Sequence, residues 1–106
     1  MTEYFIACRS NEILQGEPRC FELPNGTRIA LFKIDDEIYA IDDKCTHGSA
    51  SLSEGWQEAG VIECPFHGGS FNIRTGQPVS FPCVEPVRTY EVKLDGDTVA
   101  IRLPSA

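Results

Sequence analysis

Cys45-Thr-His47-Gly48 and Cys64-Pro-Phe-His67-Gly68-Gly69 are the stretches of this chain whose residue types could do chemistry. Sixteen residues separate His47 from Cys64, and each of the chain's two histidines follows a cysteine in the same order. A thiolate is a strong sulfur donor and a neutral imidazole a nitrogen donor, so two of each suit a soft or borderline metal. Other readings stand beside this one. The cysteines could be small hydrophobes and the histidines ordinary surface or core residues. A disulfide could join Cys45 to Cys64, which leaves the histidines without a role. A structural zinc ion could take the Cys2His2 set tetrahedrally. Zinc fingers, however, usually place both cysteines on one element and both histidines on another, whereas here each loop supplies one of each. The C-x-H spacing is also tight for two side chains meeting one ion, and suits ligands that diverge to two ions.

Two cysteines on one iron and two histidines on the other are the ligands of a Rieske [2Fe–2S] centre. Cys45-Thr-His47-Gly48 and Cys64-Pro-Phe-His67-Gly68-Gly69-Ser70-Phe71 resemble the two cluster-binding loops of Rieske proteins. The whole chain is similar to the small Rieske ferredoxins of bacterial ring-hydroxylating dioxygenase systems, most densely over residues 45–90. The resemblance implies that Cys45 and Cys64 bind one iron and His47 and His67 the other, the rings through Nδ1. It implies an all-β Rieske fold of three stacked antiparallel sheets, with the cluster-binding segment inserted between strands and the cluster at one tip. It also implies two partners in aromatic catabolism, a flavin-dependent NAD(P)H reductase and a terminal oxygenase.

The departures from the family pattern bear on potential. High-potential relatives carry an extra cysteine in each loop, and the matching positions here are Ala50 and Phe66, so no disulfide clamp can form. Those relatives also place a Ser and a Tyr hydroxyl against sulfur, where this chain has Gly69 and Phe71. Hydrogen bonds to sulfur withdraw negative charge and favour the added electron. Their loss predicts a potential near the bottom of the Rieske range, roughly −150 mV. Ser70 is the remaining hydroxyl in reach of the second loop. The neighbouring glycines, Gly48, Gly68 and Gly69, would let backbone N–H groups approach the sulfides closely.

At 106 residues the chain has room for one domain, 1–106, and none for an oxygenase catalytic domain as well. Within it the cluster loops are expected at about 45–50 and 64–70, under a Pro-rich covering loop at about 78–86. No apolar run approaches the roughly 20 residues of a membrane span, and the first residues lack a signal-peptide pattern. The expectation is a soluble cytoplasmic monomer. Five cysteines, an odd number, fit a reducing compartment. With Cys45 and Cys64 assigned, Cys8 and Cys20 read as small hydrophobes, and Cys83 is placed near the cluster by the resemblance.

The formal net charge of −7 disfavours nucleic acid, which needs a basic patch, and suits partners with basic docking faces. A [2Fe–2S] core with two thiolates leaves that charge at −7, and one electron takes it to −8. Four protein ligands leave no open coordination position, and no histidine remains for acid–base work. The chain therefore reads as an electron carrier and not an enzyme. A fixed subunit of another oxidoreductase and a non-redox zinc module are the alternatives.

Strand patterns run from end to end. Tyr4–Cys8 reads as a strand, and Ser10–Leu14 as one helical turn capped by Ser10. Residues 18–23 and 27–34 form a hairpin about Pro24-Asn25-Gly26, and Ile38–Ile41 follows. Val61–Glu63 leads into Cys64 and Phe71–Ile73 leads away from the second loop. In the last hairpin, Tyr90, Val92 and Leu94, then Val99, Ile101 and Leu103, alternate with polar residues toward one core. Residues 76–86 carry Pro78, Pro82 and Pro86 and read as a stiff irregular loop. Trp56 reads as a packing residue beneath the first loop.

Overall fold

The computed structural model describes residues 4–46, 50–65, 68–81 and 83–103. Three antiparallel sheets make up the fold, as the resemblance implied. The first joins β1 (Tyr4–Arg9), β11 (Thr98–Arg102) and β10 (Val92–Asp95) in that order. The second orders β2 (Arg19–Glu22), β3 (Arg28–Ile34), β4 (Glu37–Asp42) and β9 (Thr89–Tyr90). The third orders β5 (Trp56–Glu58), β6 (Val61–Glu63), β7 (Ser70–Asn72) and β8 (Pro78–Ser80).

The second sheet is the middle layer, and the period of two along its strands decides what each face meets. On β3, Ile29 and Leu31 join a core with Val99 and Ile101 of the first sheet. Ala30, Phe32 and Ile34 point the other way, into a core with Ile62, Phe71 and Ile73 of the third-sheet side. Strand β4 repeats the division, Ile38 and Ala40 to one core and Ile41 to the other. Burial on both faces explains why Ile29-Ala-Leu-Phe32 is a continuous apolar run.

Several local expectations needed correction. The turn after β1 is a 3-10 helix at Ser10–Glu12, and its cap is Arg9 in place of Ser10. The Arg9 amide donates to the Glu12 carboxylate at 2.7 Å, so an acidic side chain three residues on does the capping. In β1 the register slips between Ile6 and Cys8, and this bulge lets Ala7 and Cys8 both pack on the first core. The last hairpin turns Tyr90, Val92, Val99, Ile101 and Leu103 to one core, as expected, and Leu94 is the exception. Tyr90 pairs with Ala40 in the second sheet, while Val92 pairs with Ile101 in the first, and Leu94 is 46% exposed. The chain crosses between sheets at the exposed Glu91, with Tyr90 and Val92 on either side still facing the same core.

The Pro-rich segment contains a strand. β8 pairs with β7 through Ser70–Ser80 and Phe71–Pro78. Because β8 is an edge, Pro78 can stand there without a donor being missed. Behind it Gly76 has φ +77°, and a Cβ there would overlap the Val87 carbonyl oxygen. The Gly76 carbonyl accepts from Val87 N–H at 2.9 Å, which returns the chain to β9.

Candidate metal centre

The two sequence loops close in the same way. Cys45 N–H donates to the Ala50 carbonyl at 3.0 Å, and Cys64 N–H donates to the Gly69 carbonyl at 2.7 Å. Each cysteine therefore stands at the neck of its loop, and each neck bond spans the same number of residues. His47 and His67 fall between the neck residues in sequence, outside the described residues. The same holds for Gly48 and for Phe66. Among the described residues no group of three or more His, Cys, Asp or Glu side chains forms a metal site.

The supports of the two necks differ. β6 and β7 flank the second loop as a regular pair, with Glu63 opposite Ser70 immediately outside the neck. A single bridge, Lys44 to Ser51, flanks the first. Asp43, which is 2% exposed, adds to that support. The Asp43 carboxylate accepts from Ser53 N–H at 2.8 Å, and its carbonyl from Leu52 N–H at 2.6 Å. Next to it, the Tyr90 hydroxyl donates to Asp42 at 2.6 Å. Burial pushes the Tyr90 hydroxyl up to about 12, and the Asp42 acceptor adds to that shift. At Gly55 a Cβ would overlap the Glu63 carbonyl oxygen, so a residue without one lets the exit of the first loop lie against β6.

Cys45 and Cys64 are both buried, at 1% and 0% exposure, in the core between the second and third sheets. That core also holds Cys83, whose Sγ lies 3.9 Å from Cys45 Sγ. Burial pushes the Cys83 thiol up to about 12, with Cys45 and then Cys64 adding to the effect. Thr46 Oγ1 donates to the Glu85 carbonyl at 2.9 Å, so the first loop and the Pro-rich loop touch twice. The sequence named Cys83 as a neighbour of the site but gave no contact for it. Cys8 and Cys20 are half-buried away from this core, Cys20 beside Asp43 and Arg28.

Three expectations resolve here. Ser70 is engaged with the Ser80 hydroxyl at 2.7 Å, across the β7–β8 pair. Phe71 is wholly buried and offers no hydroxyl. Trp56 is 62% exposed on edge strand β5, so it is not packed beneath the first loop. The alternation along β5 turns Gln57 inward, where its amide donates to the Lys33 carbonyl, and leaves Trp56 and Glu58 outside.

The donor set fits a cluster. Two thiols that would be inert as isolated core residues share one buried core at matched loop necks. Gly68 (φ +73°) keeps open space beside the second neck. The Rieske [2Fe–2S] domain family matches residues 3–91. Ferredoxin CarAc of Metapseudomonas resinovorans is 44% identical over 82% of this chain and 81% of its own length. The 3-phenylpropionate/cinnamic acid dioxygenase ferredoxin subunit of Escherichia coli K12 is 39% identical over 94% and 93%. A chain from a solved complex of reduced oxygenase and oxidized ferredoxin in carbazole 1,9a-dioxygenase superposes with a TM-score of 0.89. It is 39% identical, covering 93% of this chain and 92% of that one. Matched necks, a shared thiol-bearing core and these relatives lead to one assignment: the chain belongs to the Rieske [2Fe–2S] family, as a ferredoxin of the dioxygenase-system type.

Proposed function

We propose that this chain carries single electrons from a flavin-dependent NAD(P)H reductase to the Rieske centre of a terminal ring-hydroxylating oxygenase. Cys45 and Cys64 hold one iron of the cluster, and His47 and His67 the other. The observation that carries this reading is the pair of buried cysteines at equivalent loop necks in one core. When bound, a [2Fe–2S] cluster supplies reversible one-electron chemistry. The protein's own residues keep that chemistry contained. The two thiolates are shielded from water by Phe32, Leu52, Ile62 and Phe71, all wholly buried in the same core. Ligands that arise from two separate loops fix the site only when both necks are formed.

The surface suits brief contacts. Phe81 and Val84, 84% and 68% exposed, flank the buried Cys83 on the Pro-rich loop. They form an apolar contact beside the site, within a molecule of net charge −7. We place the protein in the cytoplasm as a single domain, 1–106, acting as a monomer. Reconstitution with reductase and oxygenase pairs tests the reading. Electron delivery that slows as salt rises supports it. A protein that stays bound to one large enzyme through gel filtration of native extract contradicts the free carrier. Electrochemistry is expected to give a midpoint near roughly −150 mV, and a clearly positive value contradicts the missing hydroxyls.

A further inference from the structure

Cys83 is the buried cysteine that the ligand assignment leaves without a task. It is 4% exposed, and it is held against the first loop rather than merely near it. Its Sγ lies 3.9 Å from Cys45 Sγ. Two residues further on, the Glu85 carbonyl accepts from Thr46 at 2.9 Å, next to Cys45 in sequence. On the other side, Cys83 N–H donates to the Ser80 carbonyl at 3.2 Å, which ties the thiol's backbone to edge strand β8. The segment is thus pinned before and after the sulfur.

Between two thiols either sulfur can donate. A cysteine that ligates iron has lost its proton and can only accept. That fixes the direction of the contact, because Cys83 is then the partner that keeps a hydrogen. A thiol is a weaker donor than a hydroxyl. It still withdraws charge from the ligand sulfur, and so favours the reduced state. Neither Gly69 nor Phe71 has a side-chain donor for this, and the Ser70 hydroxyl pairs with that of Ser80, where either oxygen can donate.

We propose that Cys83 donates an S–H hydrogen bond to the Cys45 ligand sulfur and thereby raises the cluster's midpoint potential. Cys83 is a positioning and tuning residue, acting through Cys45. The proposal rests on Cys45 being an iron ligand, and its test separates the two. If unsubstituted protein contains no iron and sulfide, the ligand assignment fails first.

Three variants carry the test: Cys83→Val, Cys83→Ala and Cys83→Ser. Each is assayed for iron and acid-labile sulfide, then titrated optically for its midpoint. Val and Ala remove the donor while keeping an apolar side chain, and their midpoints are expected to shift to more negative values. Ser keeps a stronger donor, and its midpoint is expected at or above that of the unsubstituted protein. Iron–sulfur stretching bands in resonance Raman spectra should also lose part of their response to deuterium oxide in Val but not in Ser. A role in packing alone predicts the opposite order, with Val the same as the parent and Ser the most disturbed. That order overturns the proposal, as does a Ser variant unable to hold iron. If Val and Ala lose iron while Ser retains both iron and potential, the donor is what the site requires, and the proposal stands.

Discussion

The two metal loops close with equivalent neck bonds, yet they stand on different foundations. The second is the end of a regular hairpin, and the β6–β7 ladder already satisfies the backbone outside Cys64 and Gly69. The first leaves β4 after the Asp43 N–H bonds the Arg28 carbonyl of β3, and among the described residues its further pairing is the Lys44–Ser51 bridge. Its returning N–H groups are met by Asp43, once through the carboxylate and once through the carbonyl. A ladder is distributed over several residues, so no single side chain carries it. In the first loop one buried aspartate meets two successive amides, so a single residue carries a larger share of the support. The difference teaches that equal ligands need not be equally vulnerable.

The largest expected effect removes the ligands themselves. Cys45→Ala or Cys64→Ala should abolish the visible absorbance and the iron content. Here the two loops should behave alike, because in the proposed site each supplies one of the two thiolates on one iron. Retention of an unaltered spectrum by either variant would break the comparison at its base. Next, Ile101→Ala acts on the opposite face of the middle sheet, where Ile101 is wholly buried. It should cost about 2–5 kcal/mol in urea unfolding. The visible spectrum of the folded fraction should not change, since neither neck touches that core.

Asp43→Ala sharpens the contrast between the necks. It removes the acceptor of the half-buried Ser53 amide and should cost about 1–3 kcal/mol. Hydrogen exchange should speed at Cys45 and Leu52 and remain slow at Cys64. Asp43→Asn keeps an oxygen acceptor and should recover most of the loss. Equal acceleration in both loops would show that they share one support. Tyr90 gives a milder perturbation at the base of the first loop. Its folded-state pKa, about 12, lies above the ordinary value of 10.0. The raised pKa means that the folded state holds the proton more tightly, so this contribution is complete below pH 10. It is lost as pH climbs from 10 through about 12, which a series of urea titrations would follow. Tyr90→Phe should flatten that part of the profile. Smallest of all, Glu63→Gln on the second neck should stay within about 0.5 kcal/mol, since the ladder there is made by backbone.

This contrast also separates what was legible in the residues from what was not. Val61–Glu63 and Phe71–Ile73 announce the second hairpin by local pattern, and the structure has strands there. Cys45 and Cys64 stand out by type and spacing, whichever fold carries them. The buried role of Asp43 has no local mark. It lies within the charged run Asp42-Asp43-Lys44, where residue type alone does not set one aspartate apart, and only the folded core makes the second an acceptor. Cys83 is similar, because its contact with Cys45 spans 38 residues and depends on β8 pairing at an edge. Pro78 and Pro82 argued against a strand in that segment, and the edge position overrode the argument for Pro78. Trp56 was misread because large aromatics usually pack, whereas β5 is an edge strand with its indole outside.

Reductive titration of anaerobically purified protein, with metal and sulfide determined on the same sample, tests the central claim most directly. A [2Fe–2S] carrier is expected to hold two irons and two sulfides per chain, and to take up one electron as its visible colour bleaches. A colourless chain binding zinc, or one that takes up no electron, would contradict it.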